Sequence, residues 1–175
     1  MILKIRESIN TEIKDNLNDM EGQISPEDWI LAFFYAGPDK EARKPQINGF
    51  LMFTKQFFVF VKEIKKDLDP IFKFIPYDYG PYSFVLKNLI DKLIADGYIE
   101  VKSSDERKDY TLTDKGFEKG KKIFESIDEK TEKNLENLRR EATQLGYSGV
   151  LRYVYSRYPE YTTASKIRGK VMHEY

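Results

Sequence analysis

The chain has 175 residues, 41% hydrophobic and 33% charged, with 29 basic residues against 29 acidic ones and no cysteine. That composition is too apolar for a disordered chain and too polar for a membrane protein, and the length is enough to bury a core. Without cysteine there are no disulfides and no thiolate chemistry, and the cytoplasm is the expected compartment.

Charge is unevenly spread: residues 1–37 carry three basic and seven acidic side chains, while residues 146–175 carry five and two. No segment has the strong basic excess that marks an obvious nucleic-acid binder. The N-terminal MILKIRESINTEIKD holds acids and lacks a long apolar run, so no signal peptide is expected. The densest apolar run, residues 50–61, is interrupted by Thr54, Lys55 and Gln56 and is too short to span a bilayer.

In chain order, Ile2, Ile5, Ile9, Ile13 and Leu17 form a helical stripe, which predicts an N-terminal helix within residues 1–24. Ser25-Pro26-Glu27-Asp28 is a helix start, with a capping hydroxyl, a first-turn proline and two acids at the positive end of the dipole. That helix stops at Gly37-Pro38. After the polar loop DKEARKPQ, the stretch INGFLMFTKQFFVFVKEI predicts a second helix, apolar nearly all round and therefore central. IFKFIP reads as a short extended segment leading into PYDYGPYS, an elbow rich in aromatic residues, proline and glycine. A third helix over residues 82–96 ends at Gly97. YIEVK and YTL, separated by SSDERKD, predict a hairpin. Thr113 caps the next helix, and the Ser126-x-x-Glu129 spacing of a capping box leaves residues 113–145 readable as one helix or two. Gly146 ends that stretch, another helix follows to Pro159, and Thr162 is placed to cap the last one.

Three helices, a hairpin and a fourth helix over residues 25–128 follow the order of a winged helix-turn-helix. The expected architecture is thus mainly α (α+β): a winged-helix domain, an N-terminal helix, and a helical extension over residues 129–175.

Three stretches carry a family resemblance. INGFLMFTKQFFVF resembles a motif that usually reads GRTxLQKLLFL. FKFIPYDYGPYSFVLKNLIDKLIADGYIE holds an F-x-F-x-x-YDYGPYS signature with its helix. LRYVYSRYPEYTTASKI resembles a YVYxxYPEYTxxS block. Over roughly residues 26–168 the chain resembles a family of small bacterial and archaeal winged-helix proteins of the YwgA type, distantly like the antitoxin-type domains called Panacea. The resemblance implies a winged-helix fold and a regulatory or defence-related role. It departs at Phe50, where the motif has an arginine after its glycine, so any phosphate or acid contact of that arginine is lacking here.

The elbow has two readings that can coexist. Pro76, Gly80 and Pro81 fix a turn that orients the third helix, or Tyr77, Tyr79 and Tyr82 line a surface for a ligand, base or protein. On the third helix, Tyr82, Leu86, Leu89, Ile90 and Leu93 share the core face. Lys87, Asn88 and Lys92 lie opposite, usable for phosphate and base contacts, with Ser83 at the start of the helix and Asp91 among them. Lys102, Ser104, Arg107 and Lys108 flank the hairpin tip as candidate backbone contacts. Phe84 lies on the face that should be wet, which makes it an anchor for a protein partner or a ring folded back on the elbow. Tyr77, Tyr79 and Phe84 are therefore the candidate partner-binding residues. The leucine-type spacing 135–138–142–145 fits either a homodimer seam or internal packing.

Catalytic constellations are scarce. The one histidine, His173, lies near the end of the sequence, and no phosphate loop or dinucleotide turn occurs. Glu100-Val101-Lys102 with Asp91 or Asp96 echoes a metal-nuclease pattern, but such sites need a central sheet. The sequence thus predicts no enzyme, no metal, no cofactor and no membrane. The first expectation is a double-stranded-DNA-binding transcriptional regulator. The alternative is an interaction module, antitoxin-like or a defence-complex subunit, that does not bind DNA.

Overall fold

The computed structural model describes residues 23–173, apart from Lys44 and Asp105. The expected N-terminal helix over residues 1–24 lies almost wholly outside them. The described chain is mainly helical with a small antiparallel sheet, an α+β arrangement.

Helix α1 (Pro26–Tyr35) starts as its sequence dictates, with Ser25 Oγ accepting from the Asp28 amide at 3.1 Å. Residues Trp29 to Phe34 are all buried. Strand β1 (Gln46–Asn48) precedes α2 (Phe50–Val59), and one wider π turn (Phe60–Ile64) extends that helix. Every side chain from Met52 to Val61 is buried. The predicted central helix is therefore real, but it begins later than its apolar pattern suggested. Ile47 is not helical: it alternates inward between exposed Gln46 and Asn48 and pairs with Tyr110 across a sheet.

A short turn of helix, α3 (Asp69–Phe72), stands where the sequence predicted the start of an extended segment. The elbow is itself a hairpin, β2 (Ile75–Tyr77) against β3 (Gly80–Tyr82). Helix α4 (Phe84–Ala95) follows, and its Leu86, Ile90 and Leu93 are buried as predicted. Gly97 closes it: the Gly97 amide bonds Ile94 O at 3.0 Å and the Tyr98 amide bonds Leu93 O at 2.9 Å, the paired bonds of a Schellman turn. The predicted second hairpin is β4 (Ile99–Ser103) with β5 (Lys108–Leu112). β1 adds to β5, giving the strand order β1-β5-β4.

Thr113 caps α5 (Asp114–Phe124) by accepting from the Gly116 amide at 3.1 Å. The open question over residues 113–145 resolves as two helices, with a different cap from the one predicted. Asp128, not Ser126, accepts from the Thr131 amide at 2.9 Å and starts α6 (Glu129–Arg157). Ser126 instead donates back to Ile123 O at 2.6 Å. Gly146, at φ 66° and ψ −172°, kinks α6 where the sequence predicted a break. Thr162 does not cap the last helix. It is fully buried in a 3-10 turn (Pro159–Thr162) and donates to Pro159 O, while α7 spans Arg168–His173.

One apolar cluster unites the helices and the three-stranded sheet, with Leu135, Ala142, Val154 and Tyr155 of α6 in the same core as Phe33, Phe57 and Phe58. The 135–138–142–145 spacing therefore faces inward against α2, except for exposed Leu145. Arg139 of α6 is buried in that interface. Its guanidinium donates to Gln56 Oε1 and to Gln46 O at 3.4 Å and lies 5.1 Å from the Phe33 ring. Burial pulls its pKa down to about 10, so it stays charged at neutral pH.

Helices α1 and α5 approach closely because Gly120 has no side chain: a Cβ there would lie 2.8 Å from Leu31 O. Gly120→Ala is expected to force α5 off α1 and destabilise the fold by about 1–3 kcal/mol, read as a lower midpoint in urea unfolding.

Candidate functional site

The residues nominated for nucleic acid do not form a free basic surface. Ser83 is fully buried. Its hydroxyl accepts from the Leu86 amide at 3.0 Å, capping α4, and donates to Phe72 O, so it is closed to any ligand. Lys87 is clamped on Asp91 at 2.5 and 2.6 Å, a helical i,i+4 pair, and lies over the Phe50 ring. Lys92 stands between Glu27 at 3.5 Å and Asp96 at 3.7 Å. On the hairpin, Lys102 pairs with Glu100 at 3.5 Å and Arg107 with Asp109 at 2.9 Å. Ser104 Oγ donates to Arg107 O at 3.3 Å within the hairpin turn. Asn88 and Lys108 are exposed, with no side-chain partner among the described residues.

The elbow gathers the other nominated residues. Phe84, the first residue of α4, turns back so that its ring lies 5.6 Å from Tyr77 and 5.0 Å from Tyr82, both edge-on. Tyr77 and Tyr82 sit 5.1 Å apart, and Phe50 extends the group at 6.2 Å from Tyr82. Folding back does not bury Phe84, which stays 53% exposed, with Tyr77 at 41% and Tyr79 at 47%. Tyr147 joins the edge of this surface: burial first, then the nearby Tyr79 hydroxyl, pushes its phenol pKa up.

The hairpin holds these rings in place through its turn, Asp78-Tyr79. Gly80 has φ 89°, and a Cβ there would lie 3.0 Å from the Tyr155 ring and 3.4 Å from Lys55 Cε, so conformation and space both demand glycine. Lys166 clamps the turn from the C-terminal block. Its amide bonds Asp78 O and its ammonium bonds the Asp78 carboxylate, both at 2.8 Å. Tyr155 and Ser165 bond each other at 2.6 Å behind it. Further along the same block, Tyr153 and Tyr158 both donate to Glu63 Oε1 at 2.6 Å. Burial and that carboxylate push the Tyr153 phenol up to about 12 and raise Tyr158 as well.

Sequence reasoning missed the group beneath the rings. Lys55, on the central helix α2, is 1% exposed and donates to Pro81 O at 2.9 Å. No carboxylate of the described residues pairs with it, and burial alone lowers its pKa to about 7. It lines a cavity of about 280 Å³ together with Phe50, Leu51, Thr54, Tyr77, Asp78, Tyr79, Gly80, Tyr82 and Phe84. The available signal was a lone lysine inside a helix that is apolar all round.

No protein-family model matches the chain, and no curated protein is similar to it. Among the described residues no helix is long and apolar enough to cross a membrane.

Two outcomes follow. Ser83→Ala is expected to cost about 1–2 kcal/mol through the lost cap and the stranded Phe72 carbonyl, measured by urea unfolding. Lys55 gives stability a definite pH dependence. The unfolded chain, with an ordinary lysine near 10.5, binds one more proton between pH 7 and 10.5. Stability therefore rises with pH across that window and is lowest below pH 7. Lys55→Met is expected to flatten the rise and to stabilise the protein by about 1–4 kcal/mol near pH 6, checked by unfolding at several pH values.

Proposed function

We propose that this protein is an interaction module that recognises a protein partner through the aromatic surface of its elbow, with Phe84, Tyr77 and Tyr79 as anchors. One observation carries the reading: the charged candidates on α4 are neutralised by neighbouring acids, whereas three large aromatic side chains at its N-terminal end stand half exposed. Contiguous exposed aromatic surface of that kind is what buried anchors of an interface supply. The rings are held by a hairpin, a cap and a clamp, so little ordering cost remains for binding. The surrounding charges, Lys87 with Asp91 and Lys166 with Asp78, are already paired, which suits a partner segment that presents apolar side chains rather than a charged one. The reading agrees with an antitoxin-like or defence-complex subunit, as the family resemblance implies, acting in the cytoplasm.

DNA binding is the second reading, favoured by topology. Helix α1, strand β1, helices α2 and α4, then the β4–β5 hairpin, with strand order β1-β5-β4, fit the order of a winged helix into which α3 and the β2–β3 hairpin are inserted, and β1 supports that reading. In that reading α4 is the recognition helix, Asn88 supplies a base contact, Lys92, Lys102 and Arg107 exchange their acids for phosphates, and exposed Lys108 meets a phosphate directly. Each exchange breaks an existing ion pair or adds an acid close to the phosphate, Asp91 above all.

Two experiments separate the readings. Affinity capture with the tagged protein, followed by mass spectrometry, is expected to yield a specific partner that Phe84→Ala loses while melting and circular dichroism stay unchanged. Unchanged capture by Phe84→Ala contradicts the interaction reading. Fluorescence anisotropy with pooled duplex fragments is expected to show little binding at moderate salt. Tight binding that weakens steeply with salt, and that Lys92→Ala reduces, supports the DNA reading instead.

A further inference from the structure

We propose that the cavity beneath the elbow binds a small amphipathic carboxylate, an aryl- or branched alkyl-substituted acid, with its carboxylate on the Lys55 ammonium and its apolar body against Phe50, Tyr77, Tyr82 and Phe84. The proposal stands without the partner reading: it concerns the space under the rings, not what docks above them.

The argument begins with cost. A buried lysine ammonium is stable only where donors and charge are matched, and natural interiors match it with a carboxylate. Lys55 has one neutral acceptor, Pro81 O, for three N–H donors. The tie to Pro81 O needs one N–H donor, which the neutral amine also supplies, so the fold does not demand a charge there. The helix around it is built from Phe53, Phe57 and Phe58, and a methionine would fill the same place. The charge is retained beside a cavity, not inside solid packing. An anion entering that cavity supplies the missing countercharge in a low-dielectric setting, where a charge-assisted hydrogen bond is strongest.

The charged and titratable neighbours permit this. Asp78 also lines the cavity, but Lys166 holds its carboxylate at 2.8 Å. Tyr77, Tyr79 and Tyr82 bring phenol hydroxyls rather than full charges to the wall, and the Tyr155 hydroxyl behind Gly80 is engaged with Ser165. Among the described residues no other lysine, arginine, aspartate or glutamate lines the space. The walls are aromatic, so a simple inorganic anion gains only the ammonium contact, whereas an aryl acid also buries its ring. A volume of about 280 Å³ suits an acid of roughly ten to fifteen non-hydrogen atoms.

Protonation links to this binding. Because burial lowers the Lys55 pKa to about 7, its amine is only partly protonated at and above neutral pH, and an incoming carboxylate raises that pKa and draws a proton from solvent. The proposed acid is thus bound together with a proton above pH 7, and its affinity falls as pH rises.

The test is isothermal titration of the unmodified full chain with phenylacetate and 3-phenylpropionate, each beside its primary amide. The expected result is acid binding at least about tenfold tighter than amide binding near pH 6.5, a loss of that preference near pH 9, and proton uptake at pH 8 seen as a dependence of the heat on buffer. Lys55→Met is expected to remove the preference for acid over amide while the protein stays folded. If that variant fails to fold, the acid–amide comparison and the proton uptake of the unmodified chain still decide the matter. Equal affinity for acid and amide, acid binding without proton uptake above pH 7, or no acid binding at millimolar concentration overturns the proposal. Binding of acetate or phosphate as tight as that of the aryl acids overturns the assignment of the aromatic walls.

Discussion

The elbow depends on a hydrogen bond between a buried lysine and a proline carbonyl. Lys55 Nζ reaches Pro81 O at 2.9 Å from the middle of α2, whose side chains from Met52 onward are all buried. Pro81 offers no amide to a neighbouring strand, and its carbonyl is bound by a side chain from below. The β2–β3 hairpin is thereby tied to α2, and α4 starts at Phe84, two residues after the hairpin ends at Tyr82. The orientation of α4 follows from this bond, from Ser83 bridging Phe72 O and the Leu86 amide, and from the Lys166 clamp on Asp78. A buried lysine thus helps to set the direction of the helix whose surface carries the candidate contacts.

The same constraint explains why three separated stretches of sequence belong together. The helix around Lys55, the PYDYGPYS elbow and the tyrosine-rich segment over residues 151–167 meet at one place. Gly80 is squeezed between Tyr155 and Lys55, while Phe58 packs edge-on against both Tyr158 and Tyr161. The tyrosine hydroxyls end on Glu63, Lys62 and Ser165, so each ring is apolar along its body and satisfied at its tip. Most of the aromatic richness of the chain is therefore internal architecture. Tyr77, Tyr79 and Phe84 stand exposed as a group, with Tyr147 at its edge and Tyr153 apart on α6.

Much of this was legible in the sequence. The caps at Ser25 and Thr113, the stop at Gly97, the hairpin and the core face of α4 follow from local chemistry, because short-range hydrogen bonds and periodicity decide them. β1 was not legible: three residues, Gln46 to Asn48, pair with a strand more than sixty positions away, and Ile47 reads equally well as the first apolar residue of a helix. Asp128 displaced Ser126 as a cap because both fit the local rule and the chain turns between them. The exposed aromatic group was legible in the sequence, whereas the acids that pair with the nominated lysines were not. Lysines spaced along one face look like a phosphate surface until the acids one turn away, and Glu27 from another helix, are placed beside them. Ser83 shows the same limit, since a hydroxyl at a helix start serves as a cap or a contact, and its burial decided for the cap. Lys55 passed as a break in an apolar run because burial depends on the third dimension.

The account rests on Lys55 being an interior cation without an acidic partner. The most direct test is its own titration, followed by the NMR shifts of the lysine side-chain Cε and Nζ, with Lys55→Met identifying the resonance. The account predicts a midpoint near pH 7, more than three units below an ordinary lysine. A midpoint near 10 contradicts it: the ammonium would then be solvated or paired, and neither the tie to Pro81 nor the anion pocket would have its physical basis.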